Sequence, residues 1–344
     1  MALDDALNSE QTQEQIDQET AELRKALIQT QKQLAKAKLR NEELVAATHR
    51  GAYEAMLALG KVKPVPAPTI DKRKIKSEVA LIHSTDWQGA KVTSSYNSEI
   101  MRQRVMQFSD KIVHLTELQR QHHPVKECVV MFGGDMVEGL FNYPAQLWQI
   151  DSSLFGQFVN VSRLCVDFVR KMLANFEKVT VVAEWGNHGR IGGKRAEVPK
   201  SDNVDRMVYE MSRQLLQDEK RLTWNDCPED IQEVQVGNYR ALLMHGDELG
   251  RSGFASPAAW IAGANRWKAG AHDYDFHDIY LGHYHRHAQE PIQKHYNIYW
   301  TGSTESDNRY ARDSMAASGM PSQRLHFVDP VKGKITAQYQ VWLD

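Results

Sequence analysis

The sequence predicts an α/β domain preceded by a long helical or coiled-coil segment, and three observations predict it. From Glu78 onward, short apolar runs of strand length alternate with stretches of helical length. Most of those runs end in Gly, Asp, Asn or His, so polar residues sit on loops at strand ends. Before residue 61 the composition changes to Gln, Glu, Ala and Leu, with Gly51 the one glycine before Gly60 and no proline.

The chain therefore divides into three parts. Residues 1–60 carry a heptad seam at Ile16, Thr20, Leu23, Leu27, Thr30, Leu34, Ala37, Asn41 and Leu44, with steps alternating four and three. Polar Thr20, Thr30 and Asn41 weaken the seam, so either a homo-oligomer joined through residues 16–44 or a single solvated helix fits it. Residues 61–77 form a linker, in which three alternating prolines favour extended backbone and six Lys or Arg face one Asp. A solvated hinge and a basic strip holding a phosphate backbone are the two readings of that segment.

Residues 78–344 form the third part. Strands are expected at 79–84, 127–132, 178–185, 240–245 and 277–282, and helices at about 97–120, 153–176 and 202–219. The segments WTGS, RLHFVD and ITAQYQVWL add a strand-rich C-terminus. No stretch of 18 apolar residues exists, which argues against a membrane-spanning helix. The opening MALDDALNSEQ lacks the basic start and apolar core of a secretory leader, so a cytoplasmic location is expected. Cys128, Cys165 and Cys227 fit neither a disulfide framework nor a zinc knuckle. A net charge of −2 excludes a polycation, so any nucleic-acid contact must come from local basic patches.

The chemistry lies in the strand-end polar residues taken in order: Asp86-Trp87-Gln88, Gly134-Asp135-Met136-Val137-Glu138, Gly186-Asn187-His188, His245-Gly246-Asp247 and Gly282-His283-Tyr284-His285. Carboxylate and amide oxygens mixed with imidazoles suit Mn, Fe or Zn. An Asp can bridge two ions about 3.5–4 Å apart, the arrangement of two-metal hydrolases.

These five motifs, in this order and each after an apolar run, resemble the signature of the calcineurin-like metallophosphoesterases over roughly residues 78–305. The narrower resemblance is to SbcD-like DNA-repair exonucleases and phage-encoded nucleases. It rests on Ser84-Thr85-Asp86-Trp87, Thr301-Gly302-Ser303 and Pro321-Ser322-Gln323 with the strand after it. The resemblance implies a β-sandwich flanked by helices and two divalent metal ions, Mn first, with Fe, Zn or Mg as alternatives. It implies Asp86 and His285 on the first ion, Asp135 bridging, and Asn187, His245 and His283 on the second. It makes His188 the acid that protonates the leaving oxygen rather than a ligand. DNA is the implied substrate.

Two departures stand out. Gln88 replaces a histidine of the family pattern, offering a neutral amide oxygen or leaving the first site short. Gly189 replaces an acidic residue that normally supports the loop from behind, which puts that loop's rigidity in question. Around the site, Arg190, Lys194 and Arg195 are candidates for holding backbone phosphates. Arg266-Trp267-Lys268 and Arg309-Tyr310 are weaker candidates for base stacking. Glu138 is read either as a partner behind the site or as a helix-start carboxylate. A phosphatase or phosphodiesterase acting on a protein or nucleotide is the alternative function. A non-catalytic scaffold with a decayed first site is the second alternative.

Overall fold

The computed structural model describes residues 62–140, 144–192, 199–225, 229–248, 256–294, 296–308 and 319–344, with single positions between 22 and 54. The chain divides into a unit over 1–48 and a unit over 49–344. In the first, the described positions, among them Ile28, Gln29 and Thr30, are helical and exposed. Every other position of the expected seam lies outside the described residues.

The second unit is built on two sheets. The first has the order β11-β10-β1-β2-β3-β4 and the second β5-β6-β7-β9-β8. Strands β1 (Glu78–Ser84), β2 (Val125–Gly133), β3 (Lys178–Glu184) and β4 (Leu222–Trp224) run parallel. Strand β10 (Ser322–Asp329) pairs antiparallel with β1, and β11 (Lys334–Trp342) pairs antiparallel with β10 at the sheet edge. In the second sheet β6 (Tyr239–Met244), β7 (Asp278–Leu281) and β9 (Tyr296–Trp300) run parallel. They are flanked antiparallel by β5 (Gln232–Val236) and β8 (Ala288–Gln293).

Side-chain alternation turns these sheets into layers. Val79, Leu81, Val129, Met131 and Val182 of the first sheet meet Val234, Tyr239, Ala241, Leu243 and Tyr280 of the second in one buried core. The opposite face of the first sheet takes three helices: α1 (Ser98–Arg120), α2 (Leu154–Asn175) and α3 (Val204–Leu215). Phe132 of β2 packs there against Phe168 of α2 and Tyr209 of α3. The outer face of the second sheet, with Leu242, Met244, Ile279 and Trp300, packs on Trp260 and Ala264 of α4 (Pro257–Arg266). The expected sandwich of two sheets flanked by helices is therefore present. Each helix starts at a side-chain cap: Asn97 for α1, Ser153 for α2, Asn203 for α3 and Ser256 for α4.

The linker takes a course that the phosphate-strip reading did not foresee. It is tied to the loops that precede the parallel strands, at the opposite end of the sheet from the strand-end motifs. Asp71 N donates to Glu177, just before β3, at 2.9 Å, and Arg73 donates to the Arg120 carbonyl, before β2, at 2.7 Å. Arg221, just before β4, donates to the Val65 carbonyl at 3.0 Å. The described linker is therefore anchored at the amino ends of the parallel strands.

Candidate metal centre

All the motif residues come from the carboxyl ends of parallel strands, where open α/β sheets place their ligands. Asp86 follows β1, Asp135 follows β2, and Asn187 and His188 follow β3. His245 follows β6, and His283 and His285 follow β7. Two sheets thus aim their loops at one place.

The backbone there is held in a rarely adopted conformation. Among the described residues eight non-glycine residues have positive φ, and five of them are Asp86, Gln88, Asp135, His283 and His285, with φ between 49° and 63°. Left-handed backbone costs a residue with a side chain of order 1 kcal/mol or more, and it persists where its surroundings over-determine it. The glycines beside these residues explain how the loops nest. A Cβ on Gly186 would stand 2.1 Å from Asp135 Oδ1, and one on Gly282 would stand 2.4 Å from Asp86 Oδ2.

The side chains converge. Asp135 Oδ2 lies 3.1 Å from His245 Nε2, and that nitrogen lies 3.2 Å from Asn187 Oδ1. Candidate ligand atoms of Asp135, His245 and His283 all fall within 4.8 Å of one another. On the other side of Asp135, His285 Nε2 lies 3.2 Å from Asp86 Oδ1. Gln88 Nε2 bridges the two groups, 3.3 Å from Asp135 Oδ2 and 3.4 Å from His285 Nε2. Gln88 Oε1 is buried without a hydrogen-bond partner. This ring of oxygens and imidazole nitrogens, with an orphaned buried amide oxygen, is a donor set that fits divalent cations.

The imidazoles are oriented from behind, as metal-binding histidines are. His245 Nδ1 meets the Gly133 carbonyl at 2.8 Å, and His285 Nδ1 meets Glu305 Oε2 at 3.0 Å. Either contact leaves Nε2 facing the ring. Glu248, which the sequence did not single out, accepts from the backbone N–H of His245 (2.9 Å) and of Gly246 (2.8 Å). Asp247 pairs with Arg190 at 2.6 Å.

His188 stands apart from the ring. Its Nε2 is 3.9 Å from Asp135 Oδ2, while its Nδ1 meets the Glu138 carbonyl at 3.0 Å and Glu138 Oε2 at 3.3 Å. Glu138 is thus the partner behind His188, and its Oε1 pairs with buried Lys91 at 3.0 Å. Burial pulls the His188 imidazole down, but the carboxylates of Asp135 and Glu138 lift it to about 9. Burial pushes Asp135 up, and the imidazoles of His245 and His188 nevertheless hold it well below the usual carboxylate range. His285 is likewise pulled down by burial, yet its contacts with Asp86 and Glu305 raise it to about 10. His283 goes the other way, to about 4, through burial and the neighbouring His245.

The Gly189 departure does not loosen its loop. A Cβ at Gly189 would stand 2.2 Å from Asn203 Oδ1, so the start of α3 occupies the space behind it. Asn203 Nδ2 donates to the Gly186 carbonyl at 2.8 Å. Asp205 accepts from the backbone N–H groups of Gly186 (2.9 Å), Met136 (3.1 Å) and Val137 (3.2 Å). One buried carboxylate therefore ties together the loops of Asp135 and Asn187. In the sequence, Asn203 and Asp205 read as an ordinary helix start, which hid this role.

The candidates for substrate contact fare differently. Arg190 is committed to Asp247, which joins the loops after β3 and β6. Lys194 and Arg195 lie outside the described residues, as do Arg309 and Tyr310. Trp267 packs on Trp260, and Lys268 sits 4.3 Å over the rings of both Phe276 and Tyr296. That pair is engaged on the outer face of the second sheet rather than open to bases.

No family model matches the chain. The SPbeta prophage-derived uncharacterized protein YonJ of Bacillus subtilis (strain 168) is 22% identical over 288 residues, which span 81% of this chain and 68% of that protein. Among solved structures, Vps29 complexed with zinc from Entamoeba histolytica is 11% identical. The match covers 77% of this chain and 99% of that one, with a TM-score of 0.33. A 5'-nucleotidase from Candida albicans SC5314 is 9% identical over 82% of this chain and 54% of its own, with a TM-score of 0.36. Similarity at this level says nothing about activity. Among the described residues no helix is long and apolar enough to cross a membrane.

Proposed function

We propose that this protein is a metal-dependent phosphoester hydrolase of the calcineurin-like type, with a dinuclear centre and a nucleic-acid substrate. The observation that carries the proposal is the ring itself. Asp135 lies between His245 and the Gln88–His285 side, with His188 held just outside it. Asp86, Gln88, Asp135 and His285 would hold one ion, and Asp135, Asn187, His245 and His283 the other. When bound, such a pair supplies Lewis-acid activation of water and neutralises charge on phosphoryl oxygens.

The chain's own groups do the rest. The Glu138 carbonyl accepts a hydrogen bond from His188 Nδ1–H and its carboxylate pairs with the same nitrogen, which fixes the imidazole and aims Nε2 at the edge of the ring of ligands. Without metal, the carboxylates of Asp135 and Glu138 raise His188 to about 9 against the pull of burial. A cation so placed stabilises developing charge and can hand its proton to a leaving oxygen. Lys91 offsets the buried charge of Glu138, so that carboxylate can serve His188 without an uncompensated cost.

DNA is the finer part of the proposal, and its support is the motif order of the sequence together with the basic loop after His188. Mn is the favoured ion. Hydrolysis of single-stranded, double-stranded and nicked DNA, and of p-nitrophenyl phosphate, should be measured with Mn²⁺ and with EDTA. Mn²⁺-dependent DNA cleavage abolished by EDTA is expected. Cleavage of the aryl phosphate alone would favour a phosphatase, and full activity in EDTA would remove the metal reading altogether.

A further inference from the structure

Gln323 has no part in the chemistry above, yet its side chain is fully buried at the start of β10 and joins two loops of the site. Its Oε1 accepts from Thr85 N at 2.7 Å. Its Nε2 lies 3.0 Å from the Thr85 carbonyl, 2.8 Å from the Gly302 carbonyl and 3.0 Å from the Ser322 carbonyl. One carboxamide thus grips both backbone groups of the residue before Asp86 and one carbonyl of the loop after β9.

Both loops serve the same half of the centre. The first carries Asp86 at φ 52°. The second carries Glu305, whose carboxylate meets His285 Nδ1 at 3.0 Å. Ser303 makes a second link between them, donating to the Asp86 carbonyl at 2.6 Å and accepting from Glu305 N at 2.8 Å. The other half hangs on different supports: Gly133 and Glu248 hold His245, and Asp205 and Asn203 hold the Asn187 loop. The supports of His245 and of the Asn187 loop are therefore separate from this clamp, while the Asp86 carboxylate also accepts from the His283 N–H at 3.0 and 3.1 Å.

We infer that Gln323 is a positioning residue for the first ion: it clamps the Asp86 loop to the Glu305 loop and sets the spacing of Asp86 and His285. This rests on the two-ion reading of the site. Metal-ligand side chains must be held to within a few tenths of an ångström, and residues behind the ligands supply that control. Glutamine suits the task because its oxygen accepts the Thr85 N–H while its amide N–H groups face the carbonyls of Thr85, Gly302 and Ser322. A methionine fills similar space and can satisfy none of them.

The experiment compares wild type with Gln323→Met in two ways. Amide hydrogen exchange on the metal-free protein should show protection lost together in 85–88 and 301–305, with 186–188 unchanged. Mn²⁺ titration by calorimetry should then show the weaker of two sites loosened by 10-fold or more, the span seen when such supporting residues are removed, and the tighter site within about 2-fold of wild type. Uniform loss of protection, no loss, or equal weakening of both sites would overturn the inference. Wild type binding fewer than two ions would sink the two-ion reading instead, and the exchange pattern alone would then decide the clamp. Should Gln323→Met fail to fold, Ser303→Ala cuts the parallel link and must show the same selective pattern or the clamp is rejected.

Discussion

Glu138 holds His188 twice, through its carbonyl at 3.0 Å and its carboxylate at 3.3 Å from Nδ1. The same carboxylate reaches Lys91 at 3.0 Å with its other oxygen. His188 is thus oriented by the glutamate that closes the Gly134-Asp135-Met136-Val137-Glu138 run, and its Nε2 is left toward Asp135.

This geometry separates orientation from metal binding. His188→Ala should keep the metal content near normal and slow turnover by about 10²–10⁴-fold, the span of a general acid. Glu138→Gln keeps the side chain's shape but weakens its hold on Nδ1, so a smaller loss, roughly 10-fold or more, is expected. Metal analysis beside steady-state rates checks both. If His188→Ala strips metal in proportion to the rate, His188 is a ligand and the assignment fails.

Asp205 braces the loops of Asp135 and Asn187 through three buried N–H groups. Removing the acceptor with Asp205→Ala should destabilise the metal-free protein by about 1–3 kcal/mol for each donor left unsatisfied. The tighter metal site should weaken as well, because its loops lose their shared anchor. Urea unfolding of both forms measures the first effect. A loss below about 1 kcal/mol would mean that water or a shifted side chain replaces Asp205.

The strand-end motifs were legible because each combines an apolar run with a glycine and a hard or imidazole ligand, and sequence order alone brings them to one end of two sheets. The residues behind them were not. Glu305, Glu248 and Asp205 carry no local signature; their meaning depends on which loop the fold sets beside them. The edge strands were missed for a related reason. β5 reads QEVQV and β8 reads AQEPIQ, too polar to stand out as strands, because an edge strand needs only one apolar face. The helix α4 was hidden in PAAWIAGANR, whose apolar residues cover a single face of the second sheet.

The core between the sheets holds a carboxyl that should leave a pH signature. Asp278 accepts from the Tyr239 hydroxyl at 2.6 Å and from Asn297 N at 2.8 Å, and burial pushes it up to about 6. The native state therefore holds this proton more tightly than the unfolded chain, whose Asp titrates near 3.9. Its contribution to stability is greatest below the unfolded value and declines as pH rises toward 6. Asp278→Asn removes the charge, so the variant should gain on wild type across that window. The gain should level off above it at roughly 2–3 kcal/mol, since each tenfold difference in proton affinity is worth about 1.4 kcal/mol. Unfolding of both forms in denaturant at pH 4 and pH 8 tests this; a difference that does not change with pH would show that Asp278 is not raised.

Self-association through residues 16–44 is a proposal drawn from the heptad seam. The intact chain should form a larger assembly than a version starting near Glu78, and the shorter form should remain catalytic. Light scattering that finds one state for both removes the coiled coil.

Gln88 is where this chain departs from the pattern that it resembles, and the structure gives the departure a physical shape. Its amide N–H group lies between Asp135 Oδ2 and His285 Nε2, while Oε1 has no hydrogen-bond partner. To serve an ion, the amide must present that oxygen to it. A neutral amide oxygen is a poorer donor to Mn²⁺, Fe²⁺ or Zn²⁺ than an imidazole nitrogen. The first ion then depends mainly on Asp86, Asp135 and His285, whereas the second has Asp135, Asn187, His245 and His283. Unequal occupancy follows, with the first ion lost first on dilution or mild chelation. Gln88→His should tighten that ion and lower the Mn²⁺ concentration that gives half-maximal activity. The maximal rate need not rise, because a tighter site can also slow product release. The left-handed backbone at Gln88, φ 49°, is no obstacle, since His283 and His285 already adopt it in the same site. Calorimetric titration of both forms decides the matter: two equally tight ions in the unmodified protein, unaltered by the substitution, would show that the amide serves as well as an imidazole.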